Sequence, residues 1–228
     1  MSSKSSSDVK GRASGSPLAR GYRPRASTAE ADPQAKPGAP AAGAAKPALL
    51  AHVCCGPDAI HAVAVLQADH EVTGFFYNPN IDPPEEYALR LAEAEKVERI
   101  LGFRLVAGEY DRRRWEKAVR AFPGEPEKGR RCDICFAFRL ERTARLAVEK
   151  GIPEFASIMT ISPRKNAAAI NRIGLRVAAK HGLRYLETDF KKKGGFEKSV
   201  ELSRRHGLYR QDFCGCVYGR RPPKGVPR

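Results

Sequence analysis

Ala48-Leu49-Leu50-Ala51-His52-Val53-Cys54-Cys55-Gly56-Pro57-Asp58 is the stretch from which the fold is read. Its first six residues are apolar but for His52, and are of strand length. The run breaks at two adjacent cysteines and a Gly-Pro pair, and residues 59–67 then read as a helix, so the unit is strand, turn, helix. The alternation repeats downstream. Residues 72–77 form a second strand, ending in Asn78-Pro79-Asn80. Across residues 84–101, Tyr87, Leu91, Ala94, Val97 and Leu101 recur at spacings of three and four, the mark of an amphipathic helix. Pro84 suits its first turn and Gly102 its end.

Further strands are expected at 103–107, 154–159 and 184–186. Further helices are expected at 112–121, 133–150, 165–181 and 197–206, with a polar loop at 125–131. Repeated strand–helix units with short buried strands predict an α/β fold: a Rossmann-like parallel sheet with helices on both faces. Functional loops of such sheets gather at the carboxyl ends of the strands. Cys54-Cys55, Asn78-Pro79-Asn80 and Thr160-Ile161-Ser162 each follow a predicted strand and should share one rim.

Upstream of this pattern the composition changes. Residues 1–47 are rich in Ser, Ala, Pro and Gly, with few sizeable apolar groups (Val9, Leu18 and Tyr22 among them). Such a segment cannot offset its ordering entropy by burial, and a disordered basic tail is expected. Residues 48–228 are then a single metal-binding catalytic domain. The chain has 228 residues and a formal net charge of +15. The tail holds eight basic and three acidic side chains, leaving 33 basic and 23 acidic residues in 48–228.

That surplus biases partners towards phosphate-rich polymers. Arg112-Arg113-Arg114, Arg130-Arg131, Lys191-Lys192-Lys193, Arg204-Arg205 and Arg220-Arg221 are its clusters, and Tyr77, Phe136 or Tyr209 could stack on an unpaired base if exposed. No apolar run approaches the ~20 residues of a bilayer span, and no apolar signal core opens the chain. A cytoplasmic protein without membrane attachment is expected.

All six cysteines fall in three tight clusters: Cys54-Cys55, Cys132-Asp133-Ile134-Cys135 and Cys214-Gly215-Cys216. A secreted disulfide framework would spread them; without a secretory signal, clusters point to metal or redox chemistry. Neighbouring Cys54 and Cys55 would close a strained ring as a disulfide, so two thiolates binding one ligand are expected. Both Cys54-Cys55 and Cys132 precede helices, whose amino-terminal dipole favours anionic sulfur. Four such thiolates suit an iron–sulfur cluster ahead of structural zinc, with a pure thiol system as a third reading. Cys214 and Cys216 are close enough to cycle as a dithiol or to hold a second metal. Asp58 is an oxygen ligand, a proton donor, or the N-cap of the helix beginning at Ala59. No P-loop, GxGxxG or Ser-Gly-Gly loop is present, which argues against nucleotide triphosphate use.

The motifs Leu49–Asp58, Phe76-Tyr77-Asn78-Pro79-Asn80-Ile81 with Glu86-Tyr87 and Arg90, Arg131-Cys132-Asp133-Ile134-Cys135 with Arg139-Leu140, Ser162-Pro163 with Lys165-Asn166, Asp189-Phe190-Lys191 with Gly195-Phe196, and Leu208 to Cys216 occur in this order. In them the chain resembles the cobalamin-independent epoxyqueuosine reductase family, QueH, over about residues 48–219. The resemblance implies a fold related to the adenine-nucleotide α-hydrolase group and a 4Fe-4S cluster without cobalamin. It implies reduction of epoxyqueuosine to queuosine at the wobble position, in the anticodon loop of tRNA, the last step of queuosine synthesis. Some relatives carry Cys at position 58, and an aromatic where this chain has Arg164.

Two electrons and two protons are needed, whereas a 4Fe-4S cluster passes one electron at a time. Cys54, Cys55, Cys132 and Cys135 are assigned to the cluster. Cys214 and Cys216, with Asp58, are assigned to catalysis, as a redox dithiol or as ligands of a second, mononuclear iron. An alternative takes both sulfurs of the CxxC and one from each other pair for the cluster. The electron donor is unidentified. Asp58, Tyr77 and His52 are candidate proton donors. A tRNA sulfur-transferase and a zinc-stabilised RNA-binding module are the competing classes.

Overall fold

The computed structural model of the protein describes residues 45–219. The disordered tail expected over 1–47 falls almost wholly outside them, as does Arg220-Arg221. Five parallel strands form one sheet in the order β3-β2-β1-β4-β5. They are β1 (Ala48–Val53), β2 (Glu71–Phe76), β3 (Arg104–Ala107), β4 (Glu154–Ser157) and β5 (Arg184–Tyr185). Central β1 pairs with β2 from Ala48↔Glu71 to Val53↔Phe76 and with β4 from Leu50↔Phe155 to His52↔Ser157. Leu49, Leu50, Phe75, Phe76 and Phe155 fill the core on either side of it.

The chain leaves β1 towards β2 in one direction and later returns to β4 on the other side. The crevice beyond the carboxyl ends of β1 and β4 is therefore the topological switch point, where such sheets bind ligands. Cys54-Cys55 follows β1 directly. A short 3-10 turn, Ile158–Ile161, follows β4 and shortens the strand expected there by two residues.

Six helices cover the sheet: α1 (Gly56–Gln67), α2 (Pro84–Leu101), α3 (Arg112–Val119), α4 (Arg130–Glu149), α5 (Ala167–His181) and α6 (Gly195–Arg205). On one side α1 packs against α2 and α6; on the other α4 packs against α5. Both β1 and α2 lie where the sequence places them. Three helices, α1, α4 and α6, start two or three residues earlier than expected, the first of them for a local reason. Pro57 lies in the first turn of α1, so the helix begins at Gly56 and Asp58 is inside that turn. Asp58 is thus not the N-cap; Cys55 occupies that position with extended backbone and no side-chain cap bond. In α4 the start at Arg130 brings Cys132 and Cys135 onto one helical face, three residues apart. Among the described residues no helix is long and apolar enough to cross a membrane.

Candidate active site and metal centre

The rim is built on a buried polar platform. His52 on β1, Asn78 after β2, Ser157 on β4 and Arg139 on α4 are all almost inaccessible. Asn78 donates through Nδ2 to the Val53 carbonyl at 2.9 Å and accepts from the Arg139 guanidinium. That ties the loop after β2 to the end of β1 and both to α4. The His52 Nε2 sits 3.2 Å from the Tyr77 carbonyl and 3.3 Å from Arg139 Nε. Burial first, and then Arg139, push the His52 pKa well below the usual imidazole value, so the ring is neutral.

The carboxy-terminal segment is pinned over this platform. Asn80 Nδ2 donates to the Cys214 carbonyl, and the Asp82 N–H donates to the Gly215 carbonyl at 2.9 Å. Arg90 donates to the Phe213 carbonyl and stacks on the Phe213 ring. Glu93 accepts from the Tyr209 N–H at 3.1 Å. Ser199 and Ser203 on α6 donate to the Pro57 carbonyl, and Arg210 donates to both serines. Gly215 has φ +104, and a Cβ there would press on Ile81 and Arg90. The middle residue of the CxC must therefore be glycine on both steric and conformational grounds.

These restraints bring the three cysteine clusters to the switch point. Cys132, Cys135, Cys214 and Cys216 line one narrow cavity of about 40 Å³ with Asn80, Trp115, Arg131 and Arg139. A neighbouring cleft of about 220 Å³ is lined by Asp58, Ser162, Phe196, Gln211, Asp212 and Phe213. Cys214, Arg164 and Lys165 line both. The Cys54 and Cys55 sulfurs and an Asp58 oxygen lie within 4.8 Å of one another. Cys54 Sγ is 3.4 Å from Asp58 Oδ2, and Gln211 Nε2 donates to Cys55 Sγ at 2.9 Å. Four cysteines thus line the first cavity, and Cys54 and Cys55 cluster with Asp58, which lines the second.

All six are free thiols, and Cys214 Sγ and Cys216 Sγ are 3.3 Å apart. The Cys216 thiol donates to Cys214 and holds it down to about 6, with Lys165 assisting; Cys216 is pushed up as the donor of that bond. Burial raises Cys55 strongly and also raises Cys132 and Cys135. The helix starts therefore do not by themselves make those thiols anionic; a bound cation would.

The residues fit a metal or metal–sulfur group. Five buried side-chain polar atoms lack a hydrogen-bond partner among the described residues, and four of them belong to residues lining these cavities: Asn80 Oδ1, Trp115 Nε1, Arg131 Nε and Gln211 Oε1. Orphaned groups gathered at one place mark a site that expects an occupant. Cys54, Cys55 and Asp58 are close enough together to hold a metal ion, with cationic Lys165 beside them to balance anionic ligands.

Several residues expected at an exposed nucleic-acid surface are instead buried or paired within the chain. Tyr77 and Phe136 are buried and stack on no exposed base; Tyr209 is 37% exposed and donates to Glu86. Arg131 is buried, with its guanidinium against the Phe122 and Pro123 carbonyls and the Tyr218 ring. Arg112, Lys191 and Arg205 form ion pairs within the chain. Lys165 and Gln211, which fall in the motifs of the resemblance without a role assigned, line the cavities, as does Trp115, which no sequence pattern singles out.

A family model described as epoxyqueuosine reductase QueH matches residues 49–222. The epoxyqueuosine reductase QueH of Streptococcus pyogenes serotype M1 is 39% identical over 184 residues, covering 76% of this chain and 70% of its own. That of Thermotoga maritima is 37% identical over 173 residues, covering 75% and 88%. That of Haemophilus influenzae is 38% identical over 175 residues, covering 76% and 71%.

Proposed function

This chain belongs to the epoxyqueuosine reductase QueH family, and on that premise we propose that it reduces epoxyqueuosine to queuosine at the wobble position of tRNA with electrons delivered through its two cysteine cavities. In that reaction both C–O bonds of the epoxide break and a carbon–carbon double bond forms. Two electrons and two protons are taken up, and the oxygen leaves as water. The observation that carries the reading is that four free thiols line one cavity at the switch point of the sheet, while Cys54, Cys55 and Asp58 cluster beside Lys165, which lines that cavity too.

A cysteine-held 4Fe-4S cluster supplies low-potential electrons singly, so the second cavity matters as much as the first. Cys132, Cys135, Cys214 and Cys216 share one cavity, which supports drawing at least one sulfur of the CxC into the same centre as the CxxC. Cys54, Cys55 and Asp58 then remain together, suited to a second, mononuclear iron. The first assignment, with Cys54, Cys55, Cys132 and Cys135 as cluster ligands, leaves Cys214 and Cys216 as a dithiol beside Asp58.

In both divisions Lys165 brings positive charge to the place where Cys54, Asp58 and Cys214 meet. It stabilises anionic sulfur there and the negative charge that develops on the epoxide oxygen. Exposed Arg164 and Lys128 at the cavity mouths suit the phosphates of the anticodon loop. An external donor supplies the electrons, and the cytoplasm is where the substrate resides.

Anaerobically purified protein, incubated with tRNA carrying epoxyqueuosine and a chemical reductant, is expected to yield queuosine by nucleoside mass spectrometry. Iron and acid-labile sulfide should copurify; zinc alone would refute the redox centre. Cys214→Ser and Cys216→Ser are each expected to lower turnover at least a hundredfold. Turnover that survives both replacements would make the pair structural.

A further inference from the structure

We propose that Gln211 is the residue by which the site recognises the cyclopentane ring of its substrate, its side-chain oxygen accepting a hydrogen bond from a ring hydroxyl while its side-chain nitrogen holds Cys55. The proposal rests on the epoxyqueuosine reductase reading and names the specificity element of that site.

Two observations meet on this one amide. Its Nε2 donates to Cys55 Sγ at 2.9 Å. Its Oε1 is buried and has no partner. A sulfur bound to metal only accepts hydrogen bonds, so the amide must turn its nitrogen to Cys55 and its oxygen away. An unpartnered buried acceptor is unfavourable until something donates to it.

The cleft that Gln211 lines has the size and chemistry of a small polyhydroxylated ring, and a small turn of the side chain would present its oxygen there. Its volume is about 220 Å³. Phe196 and Phe213 give it apolar walls, whereas Asp58 and Ser162 offer further polar contacts. It adjoins both Cys214 and the group of Cys54, Cys55 and Asp58. A ring seated there would bring its epoxide to the sulfur ligands. The substituent that distinguishes epoxyqueuosine from simpler 7-deazaguanines is such a ring, with an epoxide and two hydroxyl donors. Epoxide and ether oxygens cannot donate to Oε1, so a hydroxyl is the matching group. Because the same amide holds Cys55, correct docking of the ring would also be felt at a metal-binding sulfur.

The test uses the metal-loaded protein and two forms of one tRNA. One carries epoxyqueuosine; the other carries 7-aminomethyl-7-deazaguanine, which lacks the cyclopentane. Binding is measured to the wild type, Gln211→Leu and Gln211→Met, the last matching glutamine in length should leucine disturb folding. Affinities are normalised to the iron-loaded fraction. Wild-type protein is expected to prefer the epoxyqueuosine form. Both variants should lose about tenfold of that preference, the effect of one neutral hydrogen bond, and keep their affinity for the aminomethyl form. KM for epoxyqueuosine tRNA should rise by a similar factor, with kcat less affected. A folded, loaded variant with undiminished preference overturns the assignment while leaving the reductase reading intact. A wild type that neither discriminates the two tRNAs nor turns over the epoxide overturns both.

Discussion

At the scale of single residues, chemistry legible in the sequence came in pairs and the rest did not. CC, CxxC and CxC announce themselves by spacing, and all three reach the switch point. Trp115 belongs to no motif, and although Arg139, Lys165 and Gln211 fall in the motifs of the resemblance, only folding shows that they lie beside the cysteines. Trp115 is the sharpest case. It is 2% exposed, its buried indole N–H makes no full hydrogen bond, and it lies near enough to Cys135 to favour that thiolate. An N–H aimed at sulfur stabilises the more negative, reduced form of a metal–sulfur centre and so raises its potential. Trp115→Phe keeps most of the packing and removes the donor. Iron content is expected to stay near the wild-type value, and the midpoint potential followed by electron paramagnetic resonance should fall. An unchanged potential would mean that the indole only fills space.

At the scale of elements, helix ends and helix crossings decide where the cysteines sit. Strong periodicity and a Pro–Gly frame made α2 readable to the residue. The start of α1 was missed because Asp58 resembles a cap more than Pro57 resembles a first turn. Neither cue says that α1 and α2 touch through backbone at Gly56. A Cβ there would overlap the Glu93 carbonyl, with backbone on both sides and nothing flexible to yield. Gly56→Ala is expected to cost about 1–3 kcal/mol, lowering Tm by roughly 3–10 °C in calorimetry. On the opposite side, Glu141 of α4 accepts from Lys180 and His181 of α5 and from Arg145. Partial burial alone would raise its pKa, but these hydrogen bonds outweigh that and hold the carboxyl down to about 2. The folded value lies below the unfolded one, so the stabilisation is full above about pH 4.5 and fades as pH falls towards 2. These are partly solvated pairs, worth about 0.5–1 kcal/mol. Glu141→Gln should lower Tm by roughly 1–4 °C at pH 7 and by almost nothing near pH 2. An equal loss at both pH values would show that packing, not charge, joins α4 to α5.

At the scale of the whole molecule, the sheet and the site are held by different forces. Central β1 is flanked by strands on both sides and buried, with Leu49, Leu50, Phe75, Phe76 and Phe155 closing the core without help from any ligand. The three cysteine segments are instead joined by few polar contacts and by cations that face thiols rather than carboxylates. Arg139 has no carboxylate ion-pair partner among the described residues, and three thiols, buried Cys55 and half-buried Cys132 and Cys135, are held towards their neutral form by desolvation. A metal–sulfur group would convert these thiols to anions, give Arg139 its counter-charge and occupy the orphaned donors of Trp115 and Arg131. Its binding energy would accordingly fall on the rim, not evenly over the fold. Removing iron with a chelator under anaerobic conditions should therefore leave far-ultraviolet circular dichroism nearly unchanged. Amide hydrogen exchange should accelerate at residues 130–135 and 208–219, roughly tenfold or more, while β1, β2 and β4 keep their protection. Uniform acceleration, or none at the rim, would show that the three cysteine segments are not cross-linked by a shared ligand, and the electron-delivery reading would lose its physical basis.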